Sequence, residues 1–146
     1  MTTAIQKLRE ETGAGVMDCK RALEEAGGDY DLAKKIIEKQ GIAKAAKKAE
    51  RQTGAGLLEA YVHNGRVGVL LELRSETDFV GRSEPVKALV HNLALHIAGM
   101  SPANVEDLLK QPYVKDESKT VEEVIKGVIA IVGENLKVAR FERYQI

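Results

Sequence analysis

The segment LLEAYVHNGRVGVLLELRS, residues 57–75, determines the fold class of this chain of 146 residues. Apolar and polar side chains alternate on both sides of Asn64-Gly65. Asn-Gly is the strongest short signal for a β-hairpin, because a type I′ turn needs positive φ at both central residues. We therefore predict two antiparallel strands. Two sets of apolar side chains each share one face of a strand: Leu58, Ala60 and Val62 in the first, and Val67, Val69, Leu71 and Leu73 in the second.

Downstream of the hairpin, two helices and a third strand complete the predicted core. Ser83 is the candidate cap of a helix with an apolar stripe, and Thr120 with Glu123 has the pattern of a capping box. Residues 136–146 are rich in Val, Phe, Tyr and Ile, which predicts a closing strand. The predicted class is α+β, with a three-stranded antiparallel sheet and helices packed on one face, over residues 56–146.

Upstream of the hairpin, the sequence predicts a compact module of three short helices over residues 1–41. Glycines interrupt the helical pattern three times, the last time at Gly41, and each glycine is expected to end a helix. The loops are only a few residues long, so the helices must pack together. Residues 42–55 then alternate alanine with lysine and arginine, which predicts an exposed, basic helical linker.

Composition excludes several classes of protein. The chain has 22 Lys plus Arg and 22 Asp plus Glu, so its formal net charge is zero, which argues against a bulk nucleic-acid binder. The single cysteine, Cys19, rules out an internal disulfide. No apolar run approaches the roughly 18–20 residues that span a bilayer, and the first residues do not resemble a signal peptide. We expect a soluble, cytoplasmic protein with no membrane contact.

No constellation of residues predicts catalysis. His91 and His96 are five residues apart, which does not place both on one helix face for a metal ion. The segment from Gly13 to Asp18 lacks the third glycine of a dinucleotide fingerprint and follows a helix instead of a strand. We therefore expect no enzyme active site, no bound metal and no cofactor.

One segment, residues 75–82, is unusual because Phe79 and Val80 lie among polar residues between a strand and a helix. From spacing alone, the more common arrangement is that Phe79 folds back over the core. Alternatively, Asp78 and Phe79 are displayed together on a rigid turn, where the ring supplies apolar area and the carboxylate a directed charge for a partner's pocket.

Several motifs resemble those of the translation elongation factor Ts family. Residues 8–23 (LREETGAGVMDCKRAL) resemble its N-terminal signature, residues 43–49 (AKAAKKA) its linker, and residues 76–80 (ETDFV) its second signature. LHIA at 95–98 and QPYV at 111–114 extend the match. The resemblance covers essentially the whole chain, in order.

This resemblance implies a guanine-nucleotide exchange factor for elongation factor Tu, the GTPase that delivers aminoacyl-tRNA. The N-terminal module is then ubiquitin-associated-like and docks on the GTPase domain. The implied docking residues are Arg9, Gly13, Val16, Met17 and Lys20. The second signature pushes beside the partner's magnesium site and weakens GDP binding; its residues are Thr77, Asp78, Phe79 and Val80. His96 is a further implied partner contact.

The sequence also departs from the family's pattern. Many members carry a long helical hairpin before the Gln-Pro segment, and residues 101–110 are too few to contain it. Gly81 stands where the family would have alanine, which is expected to loosen the turn behind Phe79. The closing strand has no cysteine for the inter-subunit disulfide of a similar single-core member.

The alternative function is an RNA-binding translation accessory protein that uses the basic side chains of Lys44, Lys47, Lys48 and Arg51. The sequence also makes a prediction about the oligomeric state. Leu57, Tyr61 and Leu70 lie opposite the apolar sets named above, so both sheet faces carry apolar residues. We expect a homodimer through the second face, unless the N-terminal module or the linker covers it.

Overall fold

The computed structural model describes residues 2–146, which form seven helices and five strands. The elements in chain order are α1 (Thr2–Thr12), α2 (Val16–Glu25), α3 (Tyr30–Ala46), β1 (Ala55–His63), β2 (Val67–Ser75), α4 (Asp78–Gly81), α5 (Glu84–Met100), α6 (Val105–Lys110), β3 (Pro112–Tyr113), β4 (Asp116–Thr120), α7 (Val121–Val132) and β5 (Leu136–Gln145). The predicted α+β class is confirmed. No helix in the described range is both long enough and apolar enough to span a membrane.

Helices α1, α2 and α3 form the N-terminal module around their own cluster of buried side chains. The cluster consists of Leu8, Cys19, Ala22, Leu23, Ala33 and Ile37. Asp29 caps α3, because its carboxylate accepts a hydrogen bond from the backbone N–H of Leu32 at 3.2 Å. The prediction of a three-helix module is therefore confirmed.

The sequence predicted that the third helix ends at Gly41. This prediction is wrong, because α3 continues to Ala46. The reason is a contact with a helix far along the chain. A Cβ atom at position 41 would lie 3.1 Å from the Cβ of Ala130 on α7, so glycine lets the two helices approach closely. Ala45, in the predicted exposed linker, is buried in the core of the sheet domain. The exact boundary between module and core stays a prediction.

The hairpin forms as predicted, and its strands belong to a three-stranded antiparallel sheet with the order β1-β2-β5. Asn64 and Gly65 have φ values of 52° and 66°, as the type I′ turn requires. Leu57 pairs with Leu73, and Tyr61 with Val69, and this face packs under the helices.

The opposite face of the sheet is open to solvent. It carries Leu58, which is 63% exposed, Val62, which is 66% exposed, and Leu70, which is 48% exposed. The prediction that both faces carry apolar residues is confirmed. The face of Leu58, Ala60 and Val62 is the uncovered one.

Helices α5 and α7 cover the inner face of the sheet. The predicted stripe of α5 is buried, and Thr120 and Glu123 form the predicted capping box at the start of α7. The small β3–β4 hairpin was not predicted. One of its strands has two residues, and the other, over residues 116–120, is polar and lacks the apolar alternation that marks a half-buried strand.

Candidate functional site

Phe79 is displayed on the surface, with 86% of its area exposed. It lies on α4, a single helical turn between β2 and α5, and its neighbour Val80 is 8% exposed. Consecutive side chains on a helix point about 100° apart, so the turn that buries Val80 directs Phe79 outward. The interpretation that Phe79 folds back over the core is wrong. Asp78 is exposed beside it, so the ring and the carboxylate are presented together.

Hydrogen bonds between side-chain hydroxyls and the backbone fix this turn. The Thr77 hydroxyl accepts from the backbone N–H of Val80 at 3.3 Å and caps α4. The buried hydroxyl of Ser75 donates to the carbonyl of Thr77 at 2.8 Å. A Cβ added at Gly81 would lie 3.2 Å from Ser75 Oγ, so glycine avoids a close contact with this hydroxyl. Phe79 is thus an exposed aromatic side chain on an anchored backbone.

Sequence reasoning missed the acidic residue that holds the front of the turn, Glu134. One oxygen of its carboxylate accepts from the backbone N–H of Thr77 at 3.0 Å and the other from the Thr77 hydroxyl at 2.9 Å. The two residues are 57 positions apart, so no local pattern could have linked them. The available signal was its place between Gly133, which ends α7 with a φ of 77°, and the closing strand.

The five predicted docking residues of the module, Arg9, Gly13, Val16, Met17 and Lys20, are all exposed. Val16 is 46% and Met17 59% exposed, at the first turn of α2. Gly13 adopts a φ of 72°, and an added Cβ there would lie 3.0 Å from Cγ1 of Ile131 on α7. The glycine turn therefore lies against the core while α2 presents two apolar side chains to solvent.

His96 is fully buried, so it contributes no atom to the surface. Its Nδ1 accepts from the backbone N–H of Val114 at 3.1 Å, and its Nε2 lies 2.9 Å from Oε1 of Gln111. A backbone N–H can only donate, so the ring proton resides on Nε2. Burial lowers the pKa of His96, which keeps the ring neutral. In this conformation His96 supports the β3 segment from within the chain.

The basic residues proposed for RNA binding are partly compensated. Lys44 Nζ lies 3.1 Å from a carboxylate oxygen of Asp18, and an Arg51 guanidinium nitrogen lies 3.5 Å from Glu76. Half of the proposed basic stripe is therefore engaged with carboxylates, which reduces the positive potential available to a phosphate backbone.

Comparison with known proteins places nearly the whole chain in one family. The family model described as elongation factor TS matches residues 3–105 and 76–146. Elongation factor Ts of Coprothermobacter proteolyticus is 40% identical over 188 aligned residues, which cover 97% of this chain and 95% of the relative. Elongation factor Ts of Thermotoga petrophila is 42% identical over 186 residues, with 97% and 94% covered.

Some relatives are longer than this chain. The chloroplastic polyprotein of EF-Ts from Oryza sativa subsp. indica is 37% identical and covers 97% of this chain, which corresponds to 17% of the polyprotein. The bacterial alignments extend over 186 to 188 positions while this chain has 146 residues, so those relatives contain residues without a counterpart here. Nearly complete coverage at about 40% identity leaves one conclusion: this chain belongs to the elongation factor Ts family.

Proposed function

We propose that this protein is a guanine-nucleotide exchange factor for elongation factor Tu and acts in the cytoplasm during polypeptide elongation. The observation that carries the proposal is Phe79, a large apolar side chain with 86% of its area exposed on a hydrogen-bonded turn. Family membership supports the choice of partner. The activity requires binding and displacement only, with no bond made or broken by this chain.

The Phe79 turn would act on the groups that surround the ligands of the partner's magnesium ion. A bound ion neutralises phosphate charge in a GDP pocket, and its geometry depends on the groups around its ligands. A ring and a carboxylate inserted beside those groups would disturb the site without replacing a ligand. Burying a phenylalanine contributes roughly 1.5–3 kcal/mol. That range is similar to the roughly 1–3 kcal/mol by which two binding sites are typically coupled.

The module would supply affinity for elongation factor Tu, and the Phe79 turn would weaken the binding of GDP to it. Val16 and Met17 are exposed at the start of α2, where a partner could bury them. Both surfaces belong to one continuous packing unit, because α3 contributes to the module's core and packs against α7. Binding at the module would therefore place the Phe79 turn at a fixed position on the same partner.

We also propose that the open sheet face forms a homodimer. Leu58, Val62, Leu70 and Tyr144 are each 48% to 75% exposed on this face, so neither the module nor the linker covers it. Between β2 and β5, Arg140 Nε lies 2.9 Å from the Glu72 carboxylate, so these charges are paired within one chain. A two-fold partner presents the same apolar patch, and two such sheets pack about 10 Å apart.

The decisive experiment for the exchange function is release of labelled GDP from elongation factor Tu, with and without this protein. We expect sub-stoichiometric amounts to accelerate release and Phe79→Ala to remove most of the acceleration. Glu84→Ala is a matched surface control, because the Glu84 side chain is 91% exposed at the start of α5. Release at the spontaneous rate with the wild-type protein would contradict the proposal.

A further inference from the structure

The start of β5 lies directly beside the Phe79 turn because of the sheet register. Ser75 at the end of β2 pairs with Leu136 at the start of β5. The strands are antiparallel, so the residues that follow Ser75 face the residues that precede Leu136. Glu76 and Thr77 are thus placed opposite Glu134 and Asn135.

The two pairs of residues exchange hydrogen bonds reciprocally. The backbone N–H of Thr77 donates to the Glu134 carboxylate at 3.0 Å, and the backbone N–H of Asn135 donates to the Glu76 carboxylate at 2.8 Å. Hydrogen bonds from a neutral donor to a carboxylate are stronger than those between two neutral groups. We name these four residues, Glu76, Thr77, Glu134 and Asn135, the carboxylate clamp.

Glu134 also sets the orientation of the Thr77 hydroxyl. That hydroxyl has one hydrogen and two lone pairs. Its hydrogen is directed to Glu134 at 2.9 Å, which leaves a lone pair to accept the backbone N–H of Val80 at 3.3 Å. The cap of α4, and with it the direction of Phe79, therefore depends on an acceptor supplied by the loop between α7 and β5.

Asn135 links the clamp to the segment that leaves the N-terminal module. Its side chain is 4% exposed, and its Nδ2 donates to the carbonyl of Arg51 at 3.0 Å and to that of Ala49 at 3.3 Å. Both carbonyls lie between α3 and β1. The guanidinium of Arg51 reaches the Glu76 carboxylate at 3.5 Å. One buried amide thus joins the connecting segment to the turn.

We propose that Glu134 and Asn135 are positioning residues for nucleotide exchange: they hold the Phe79 turn in its displayed conformation and fix it relative to the segment leaving the docking module. The proposal rests on the proposed exchange function and on the contacts of the carboxylate clamp. Neither residue needs to touch the partner.

The first test measures amide hydrogen exchange in the protein alone, and so does not depend on the exchange function. In Glu134→Ala the amides of Thr77 and Val80 should exchange about tenfold faster or more. The Thr77 amide loses its acceptor, and the Val80 amide loses the orientation of the Thr77 hydroxyl that accepts from it. Glu134→Gln retains the length and one acceptor, and should give intermediate protection. Glu84→Ala should match the wild type. Unchanged protection at Thr77 in Glu134→Ala would overturn the proposal.

The second test measures GDP release as a function of the concentration of GDP-bound elongation factor Tu. Glu134→Ala should lower the maximal rate about fivefold or more and leave the half-saturating concentration within about twofold, because the docking surface is intact. Glu134→Gln should recover part of the rate. When Glu134→Ala is added to Phe79→Ala, the maximal rate should fall no further, since both substitutions act through the Phe79 turn.

These outcomes separate the two proposals. Wild-type protein without exchange activity contradicts the proposed function, while the hydrogen-exchange comparison still decides the clamp. A wild-type maximal rate in Glu134→Ala, or losses that add to those of Phe79→Ala, would contradict a positioning role even if the protein melts at a lower temperature.

Discussion

Phe79 and Val80 are adjacent in sequence and opposite in environment: 86% of Phe79 is exposed, and 8% of Val80. The same helical turn buries one side chain and displays the other. Substitutions at these two positions should therefore separate stability from partner binding.

Phe79→Ala should leave the free energy of unfolding nearly unchanged, because the ring has few contacts to lose, and should slow GDP release. Val80→Ala should destabilise the fold by about 1–3 kcal/mol through a lost core contact. Thermal melts and GDP-release assays on both variants check this. A large loss of stability in Phe79→Ala would show that the ring is packed in solution.

Met17→Glu should weaken binding to elongation factor Tu and leave the maximal exchange rate close to that of the wild type. The side chain is 59% exposed at the start of α2, so a carboxylate there perturbs docking and not the fold. The measurement is the concentration of partner that gives half-maximal exchange. An unchanged value would exclude a docking role for Met17.

Leu70→Glu should shift the protein toward monomer, because it places a charge on the open sheet face. Val114→Glu is the matched control, since Val114 is 45% and Leu70 48% exposed, and Val114 lies outside that sheet. Light scattering behind a sizing column, over a tenfold dilution, gives the mass. A wild-type monomer at tens of micromolar would defeat the dimer proposal.

His96 should make stability depend on pH. Burial lowers its pKa in the folded chain below the ordinary value of 6.5, so the unfolded chain binds the proton first as pH falls. The His96 contribution to the free energy of unfolding is thus fully retained above pH 6.5. It declines as pH decreases below 6.5 toward the folded-state pKa. His96→Gln should flatten this part of the profile in denaturant titrations between pH 7.5 and pH 5, about the range of histidine titration.

Two glycine substitutions should have opposite effects. Gly41→Leu should destabilise the protein by about 1–3 kcal/mol, because a Cβ there lies 3.1 Å from the Cβ of Ala130. Gly127→Ala should stabilise α7 by about 0.5–1 kcal/mol, since nothing lies within 4 Å of the added Cβ. Thermal melts compare the two variants. Equal effects would mean that the α3–α7 contact is loose.

The features that the sequence predicted correctly depend on residues near one another in the chain. The Asn64-Gly65 turn, the Thr120 capping box and the stripe of α5 each need information from a few neighbouring positions. Features that sequence reasoning missed depend on distant residues. Helix α3 passes Gly41 because Ala130 packs there, and the Phe79 turn is held by Glu134. Spacing around residue 79 could not reveal an acceptor 57 positions from Thr77.

The continuity of α3 limits how this protein can come apart. The helix places Ala33 and Ile37 in one hydrophobic cluster and Ala45 in the other. Unwinding the whole helix exposes apolar area in both clusters, so we expect the two halves of the molecule to unfold as one cooperative unit. A fragment beginning at residue 42 would start inside a helix, with its first amides unpaired and the α7 surface uncovered. Native-state proteolysis should consequently be slow even between residues 47 and 54, because Asn135 Nδ2 holds the carbonyls of Ala49 and Arg51 and cleavage there would require global unfolding.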